Sequence, residues 1–183
     1  MKITLVRHGK PVSSTNPKVT AVGFAYWVRA YNRSLVCRDN FPPKEFYHKF
    51  RDSYIISSDL IRAIHSTKIC LGRDADLVSR NFREMDIPRL KLPFFMTVNS
   101  WLAVARLCWF IGISGKGESY KSGLERVLSA VDYITLKVNE HGHIVVFGHG
   151  IFNRFVTREL KRRGWCVKSN QMGFWGETVL IRN

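Results

Sequence analysis

Two histidines, each next to glycine, follow two apolar segments that are far apart in the sequence. Arg7-His8-Gly9 comes after residues 3–6, and Gly148-His149-Gly150 comes after residues 145–147. Each apolar segment has the length and composition of a buried β-strand. In open α/β sheets, ligands bind where the carboxyl ends of strands meet helix N-termini. Two histidines and an arginine at that edge indicate chemistry on an anion, and we expect a phosphoryl group.

Phosphoryl transfer to a side chain requires a nucleophile, cations for the transferring oxygens, and an acid for the leaving group. Neutral imidazole is a competent nucleophile because its pKa lies close to neutral pH. Arginine suits the oxygens because its planar, permanently charged guanidinium donates two hydrogen bonds. The pair Arg7 and His8 therefore has the residue types that this chemistry needs. The four remaining histidines fit structural or surface positions: His48, His65, His141 and His143.

Strand and helix candidates alternate along the chain. Strands are predicted at residues 2–6, 54–56, 144–147 and 178–182, and helices at about 20–34, 60–71, 99–111, 118–142 and 151–163. Ser57-Ser58-Asp59 is expected to supply the N-cap of the second helix. Pro88 and Pro93 argue against a central strand nearby, and residues 165–176 are expected to form a variable loop. The alternation predicts a single α/β domain over residues 1–183, a three-layer α/β/α sandwich whose mainly parallel sheet has helices on both faces.

Composition narrows the class of protein. An apolar share of 45% in 183 residues is typical of one folded domain with a substantial core. The net charge of +15 favours anionic partners without choosing between nucleic acid, lipid and phosphorylated metabolites. Four dispersed cysteines form no CxxC pair and predict reduced thiols. The absence of a signal peptide, and an apolar stretch at 101–113 that is too short to span a bilayer, predict a cytoplasmic protein.

Four segments together resemble the histidine phosphatase superfamily, the phosphoglycerate-mutase-like, two-histidine phosphatases. They occur in the order of that family and extend over residues 3–158. The segments are Arg7-His8-Gly9, residues 57–63 with Thr67 (SSDLIRA, then T), residues 82–86 (FREMD), and Gly148-His149-Gly150.

The resemblance implies a role for each matching residue. His8 would be the nucleophile that forms a phosphohistidine intermediate, and Arg7 and Arg62 would bind the phosphate oxygens. His149 would complete the phosphate pocket and stabilise charge in the transition state. Because two arginines can neutralise a transferring dianion, we expect neither a metal nor another cofactor.

Two residues are candidates for the acid that protonates the leaving group. Glu84 matches the acidic residue that serves many relatives as proton donor, and Asp86 is the alternative. Asp86-Ile87-Pro88 replaces the Asp-Phe-Gly of the family, so the position of this loop is open. Lys10 and Asn16 follow the first motif where relatives carry an acidic residue and a Trp-Asn segment. Both are candidates for substrate contact, as is Asn153, one turn into the helix after His149.

These observations predict a phosphatase that hydrolyses a phosphomonoester, with water as the final acceptor. A mutase-type phosphoryl transfer is the first alternative, although mutases resemble one another in being longer. The second is a non-catalytic binder of phosphorylated or nucleic-acid ligands, suggested by the charge. We expect a small phosphorylated substrate and neither a nucleic acid nor a membrane partner. Cations in the variable segments favour an acidic or multiply phosphorylated substrate: Lys10, Lys18, Arg89, Lys91 and Lys116.

Overall fold

The computed structural model describes residues 1–115 and 117–182. Lys116, one of the cations considered above, lies outside the described residues. The strands are β1 (Lys2–Arg7), β2 (Lys18–Val19), β3 (Tyr54–Ser58), β4 (Leu77–Ser79), β5 (Met96–Thr97), β6 (His143–Gly148), β7 (Cys166–Asn170) and β8 (Glu177–Ile181). The helices are α1 (Ala21–Asn32), α2 (Glu45–Phe50), α3 (Ile61–Leu71), α4 (Val98–Phe110), α5 (Tyr120–His141) and α6 (Gly150–Arg162), with a 3₁₀ turn at Arg80–Phe82.

Six strands form one sheet in the order β4-β3-β6-β1-β8-β7. The four strands from β4 to β1 are parallel to their neighbours, whereas β8 and β7 pair antiparallel at one edge. The prediction of a mainly parallel sheet is therefore confirmed. The expectation of a loop over residues 165–176 is wrong, because β7 occupies Cys166–Asn170. This edge strand is mostly exposed and polar, so it carries no hydrophobic alternation, and its pairing with β8 defines it.

Alternate residues of the central strands point to opposite faces of the sheet. In β1, Ile3 and Leu5 join a buried cluster with α5 and α6, whereas Val6 joins a second cluster with α2 and α3. In β6, Val146 and Phe147 divide in the same way between the two clusters. Helices therefore cover both faces, as the sequence predicts.

A third apolar cluster joins α1 and α4. Phe24 of α1 packs with Val98, Trp101 and Ala105 of α4, and all four side chains are buried. The short antiparallel pair of β2 and β5 connects the two helices. Trp101 donates its indole N–H to the carbonyl of Val19 at 2.9 Å, which ties the core of this unit to β2.

The start of α3 differs from the prediction. β3 continues through Ser58, and the N-cap position is Leu60, which forms no side-chain cap. The expectation that Ser57-Ser58-Asp59 caps the helix is therefore wrong. The polar groups of this segment are instead engaged elsewhere. Ser58 contacts His149 at 2.8 Å, and Asp59 pairs with Arg83 at 2.5 Å.

The long apolar stretch of the sequence forms α4, Val98–Phe110. Within the described ranges, no helix combines the length and the apolar character needed to cross a bilayer.

Candidate active site

The two glycine-flanked histidines lie side by side at the carboxyl edge of the sheet. β1 and β6 are adjacent and parallel, with Arg7 opposite Gly148. The backbone N–H of His8 donates to the carbonyl of Gly148 at 3.1 Å, which extends the pairing by one residue. The imidazole rings of His8 and His149 are 5.1 Å apart, centroid to centroid, and meet edge to face at 61°.

His8 is held as a neutral imidazole with a defined tautomer. Its Nδ1 contacts the carbonyl of Gly9 at 2.8 Å, and because a carbonyl only accepts, Nδ1 carries the proton. Its Nε2 therefore carries a lone pair, which accepts the Nε–H of Arg62 at 3.1 Å. Burial, together with the positive charges of Arg62 and then Arg7, holds the pKa of His8 well below its usual 6.5. This arrangement presents an unprotonated nitrogen to the site.

Arg62 is a buried cation whose guanidinium is fixed on several sides. It bridges from His8 to the C-terminal end of α1, where its Nη1 donates to the carbonyl of Tyr31 at 3.3 Å and to the side chain of Asn32 at 3.1 Å. The guanidinium also stacks over the ring of Tyr31 at 4.7 Å. Burial lowers the pKa of Arg62 from its usual value, and the group stays charged at neutral pH.

His149 is fully buried behind His8. Its Nε2 lies 2.8 Å from the hydroxyl of Ser58, whose oxygen also accepts the N–H of Leu60 at 3.3 Å. Burial, followed by the charge of Arg62, holds the pKa of His149 well below 6.5. Its Nδ1 is buried and has no hydrogen-bond partner in the described structure. Such an atom carries a desolvation cost unless a ligand contacts it.

Arg7 lies at the end of β1 beneath the loop between β7 and β8. Its guanidinium packs 4.4 Å from the ring centroid of Phe174, a cation–π contact. Its Nε is buried and unpartnered among the described residues. Phe174 also approaches His8, with ring centroids 5.7 Å apart. Phe174 of this loop therefore forms an aromatic wall on one side of His8.

Gly9 has no room for a side chain. A Cβ atom at this position would lie 2.5 Å from the indole of Trp175 and 2.7 Å from Val36. Trp175 is buried and has a positive φ of 59°, which is unusual for a bulky residue. Its backbone N–H donates to the carbonyl of Arg7 at 3.0 Å, so the strained residue is tied to the strand that carries the first motif.

Gly9→Ala is therefore expected to destabilise the protein by about 1–3 kcal/mol, since the added methyl must displace Trp175 or Val36. Thermal unfolding at neutral pH measures this change. Gly150→Ala is the matched control, because a Cβ there meets only ordinary contacts with Arg7 at 3.6 Å and beyond. Equal unfolding temperatures for the two variants would contradict the steric account of Gly9.

Glu84 caps the N-terminus of α6 from a distance. One carboxylate oxygen accepts the N–H of Phe152 at 2.8 Å and of Met85 at 3.0 Å, and the other accepts the N–H of Ile151 at 3.1 Å. The amides of Ile151 and Phe152 belong to the first turn of α6, where a negative charge is favourable. The cap places the carboxylate at the start of α6, on the wall of the same cavity that His8 lines. Oε2 accepts a single N–H, so it keeps a lone pair on which it can carry a proton.

The segment of residues 80–89, here named the acid loop, is clamped by Arg126 of α5. Arg126 forms a two-pronged ion pair with Glu118 at 2.6 and 2.8 Å. It also donates to the carbonyls of Asn81 and Arg83 at 2.9 and 2.8 Å. Burial alone would raise the pKa of Glu118, but the hydrogen bond and charge of Arg126 outweigh burial and lower it. Arg126 thus fixes the backbone that carries Glu84.

A cavity of about 1090 Å³ opens beside Arg7, His8, Arg62 and Glu84, whereas the fully buried His149 is not among its lining residues. Its walls come from the ends of the strands, α1, the acid loop, α4 and the start of α5. Seven arginines and three carboxylates line it: Arg7, Arg62, Arg80, Arg83, Arg89, Arg106 and Arg126, with Glu84, Asp86 and Glu118. The volume is at the upper end of the range for small-molecule sites.

Of the three residues predicted to contact substrate, one lines the cavity and two do not. Asn16 lines the cavity and accepts the N–H of Asn99 at 2.8 Å. Lys10 is exposed and is not among the cavity-lining residues, because its backbone is directed by pairing with Asn40 at 2.6 Å. Asn153 also lies off the cavity. Its buried Oδ1 fills the space beside Gly148, where a Cβ would lie 2.6 Å away.

Several residues of the site carry no signal in the sequence. Tyr31, Phe174 and Arg126 reach the site from distant parts of the chain, and no local spacing connects them to the motifs. Ser58 does lie within a sequence motif, the Ser57-Ser58-Asp59 segment, but that motif predicts a helix cap and not a contact with His149. The described residues contain no cluster of three or more His, Cys, Asp or Glu side chains that could hold a metal ion.

Comparison with known proteins identifies the family. Residues 44–166 match the family model of the histidine phosphatase superfamily (branch 1), a match that begins after the first motif. A search of curated protein sequences finds no match to this chain.

Solved structures share the fold. An open reading frame product of Mycobacterium tuberculosis superposes with a TM-score of 0.64 at 18% identity, over 100% of this chain and 91% of that one. A mycobacterial glucosyl-3-phosphoglycerate phosphatase gives 0.60 at 20% identity, over 100% and 90% of the two chains. A phosphoserine phosphatase mutant of Entamoeba histolytica, in complex with phosphoserine, gives 0.55 at 15% identity, over 100% and 91%.

Proposed function

The chain belongs to branch 1 of the histidine phosphatase superfamily, and from this premise we propose that it is a phosphatase that hydrolyses phosphomonoesters through a covalent phosphohistidine on His8. The observation that carries the proposal is the state of His8. Its Nδ1 proton is held by the carbonyl of Gly9, and its Nε2 lone pair faces Arg62 at the cavity. Related phosphatases with the same fold act on glucosyl-3-phosphoglycerate and bind phosphoserine, which agrees with this class of reaction.

In the first step, His8 Nε2 attacks phosphorus and the bond to the ester oxygen breaks. The electron pair of that bond leaves with the alcohol oxygen, and Glu84 supplies the proton that completes the alcohol. The Nε–H of Arg62 then donates its hydrogen bond to a phosphoryl oxygen instead of His8 Nε2, and Arg7 binds another oxygen. If the Ser58 hydroxyl donates to His149 Nε2, then His149 Nδ1–H is the donor left for a third oxygen.

In the second step, water attacks the phosphorus of the phosphohistidine. The phosphorus–nitrogen bond breaks, and its electron pair returns to His8 Nε2. The carboxylate of Glu84 accepts the proton that water loses. The low pKa of His8 favours departure of a neutral imidazole and restores the starting state.

Charge neutralisation by Arg7 and Arg62 gives this mechanism its independence from metal ions. We expect the protein to hydrolyse para-nitrophenyl phosphate at the same rate with and without EDTA. Release of nitrophenol measures the rate, and inorganic phosphate binding by calorimetry measures the pocket separately. A folded protein that neither hydrolyses the ester nor binds phosphate or vanadate contradicts the proposed function.

Glu84→Gln is expected to slow the hydrolysis of alkyl phosphates by about 10²-fold or more, because their alkoxide leaving groups need a proton. The kcat/KM for para-nitrophenyl phosphate should change far less, since nitrophenolate leaves without a proton. The ratio of the kcat/KM values for the two substrates measures the effect, because kcat/KM reports the first step and not the second, in which Glu84 acts as the base for both substrates. Asp86→Asn is the matched control and should leave this ratio unchanged.

The same comparison separates catalysis from helix capping. If Glu84 only caps α6, Glu84→Gln lowers the unfolding temperature and reduces both kcat/KM values alike. A ratio that responds to Asp86→Asn instead assigns the acid to Asp86.

A further inference from the structure

The cavity carries more positive charge than one phosphoryl group requires. Arg7 and Arg62 lie next to His8 and suffice for the transferring oxygens, yet five further arginines line the same cavity. Only three carboxylates accompany them. The function of the additional arginines depends on whether each already has a partner within the protein.

Three of the five are committed to internal contacts. Arg126 is neutralised by Glu118, and Arg83 is paired with Asp59 at 2.5 Å. Arg106 donates to the backbone carbonyls of Met85 and Asp86 at 3.0 and 3.2 Å. These three arginines hold the acid loop in place, and their fixed guanidinium groups contribute to the structure of the wall.

The other two, Arg80 and Arg89, are exposed to solvent and line the cavity. Within residues 1–115 and 117–182, the side chain of neither forms a hydrogen bond or an ion pair. They stand at the two ends of the acid loop, on the same segment that carries Glu84. Unpaired guanidinium groups bordering a cavity are ready donors for carboxylate or phosphate oxygens.

The wall of the cavity formed by α1 has no free aromatic face on which a ligand could stack. Trp27 is the largest aromatic side chain that lines the cavity, but it stacks within α1 on Tyr31 at 4.8 Å and on Phe24 at 6.4 Å. Its indole N–H is directed to Thr15 at 3.4 Å. The part of a ligand that extends beyond the phosphoryl group therefore meets charge on the acid loop rather than a free stacking face.

We propose that the substrate carries a second anionic group, and that Arg80 and Arg89 bind it. The inference rests on the proposed function for the position of the first phosphoryl group, at His8. The volume of about 1090 Å³ accommodates a ligand with two separated anionic groups. A carboxylate and a second phosphate share the chemistry that these arginines recognise.

Binding of unreactive ligands tests this inference without turnover. The probes are 4-carboxybenzylphosphonate, 4-carbamoylbenzylphosphonate and para-xylylenebisphosphonate, and calorimetry measures the binding of each. The second probe has the shape of the first, but its amide tail is uncharged. We expect the wild-type protein to prefer at least one of the two probes with an anionic tail over the amide by about 5- to 25-fold, since each exposed ion pair contributes roughly a factor of five or less. The carboxylate and bisphosphonate arms distinguish the two sources of the second anion.

The double variant Arg80→Ala/Arg89→Ala should bind all three probes with nearly equal affinity. The matched control, Arg158→Ala/Lys161→Ala, removes two exposed cations from α6, outside the cavity. It should retain the wild-type preference, which separates a local subsite from the general effect of net charge. The same comparison made with the corresponding aryl phosphates adds kcat and KM to the affinities.

The outcomes separate this inference from the proposed function. Equal affinity of the wild-type protein for all three probes overturns the second subsite, even if aryl phosphates are hydrolysed. A preference that persists in the double variant also overturns it. A preference that the double variant loses supports the subsite, and absence of turnover in that case counts against the phosphatase and not against the subsite.

Discussion

His8→Ala is expected to abolish phosphomonoester hydrolysis while the protein stays folded. Loss of the nucleophile removes the covalent route, and we expect kcat to fall by roughly 10⁴-fold or more. The cations Arg7 and Arg62 remain, so inorganic phosphate should still bind. Nitrophenol release and phosphate calorimetry on the same preparation measure the two properties separately.

Two further variants test whether the loss of activity comes from misfolding or from the loss of any histidine. His8→Asn keeps a polar side chain of similar shape and should be equally inactive, with an unfolding temperature close to that of the wild type. His48→Ala changes an exposed histidine on α2 and should be fully active. Residual turnover above one per cent in both His8 variants would contradict the role of His8 as nucleophile.

Arg62→Ala is expected to have the next largest effect, a loss of about 10²- to 10³-fold in kcat/KM. The substitution removes a charge-assisted donor to the phosphoryl oxygens and also the hydrogen bond that fixes His8 Nε2. Arg62→Lys keeps the charge but lacks the planar fork that reaches His8, Tyr31 and Asn32 together, and it should recover only part of the activity. Steady-state kinetics with an aryl phosphate measures both variants.

The pH profile gives Arg62 a signature that a merely structural role would not produce. In the wild type, burial and then the charge of Arg62 lower the pKa of His8, so the nucleophile stays unprotonated below pH 6.5. Activity is therefore lost only as the pH falls through that lowered pKa. Removing Arg62 takes away a positive charge and admits water, and both effects raise the pKa of His8. The acidic limb of kcat/KM should move to higher pH in Arg62→Ala.

Arg62→Lys should show a smaller shift of this limb, because the positive charge is retained. An unchanged acidic limb in Arg62→Ala would show that another group controls it. Equal activity of Arg62→Ala and the wild type would remove Arg62 from the phosphate site.

Elements with a strong apolar pattern could be predicted from the sequence, and elements defined by pairing could not. The central strands are continuous apolar runs and α5 has an apolar repeat of about 3.6 residues, and the structure has them within a few residues of the predicted bounds. β7 was missed because an exposed edge strand has no buried face to produce a repeat. β2 and β5 contain two residues each, too few for any pattern.

The same distinction applies to the site. His8, Arg62 and His149 follow strand ends in recognisable motifs, so their convergence could be anticipated from a parallel sheet alone. The orientation of Lys10 and Asn153 could not be anticipated from the sequence. Lys10 is positioned by its contact with the distant residue Asn40, and Asn153 lies against Gly148 beneath the helix.

Long-range contacts account for what remained unpredicted. Glu118 lies just before α5, at the predicted start of that helix, and nothing in the sequence connects it to the acid loop. The structure instead pairs it with Arg126, which reaches across to the acid loop. Phe174 belongs to a segment that the sequence presents as a variable loop, and only the pairing of β7 with β8 brings it against Arg7.

The covalent intermediate tests the central claim most directly. The protein is mixed with a substrate that carries a radiolabelled phosphoryl group, quenched in alkali within milliseconds to seconds, and digested for peptide mapping. We predict label on the peptide that contains His8, in a bond that is stable to alkali and labile to acid, and no label in His8→Ala. Wild-type turnover with no labelled peptide, or with label on any other residue, would contradict the account.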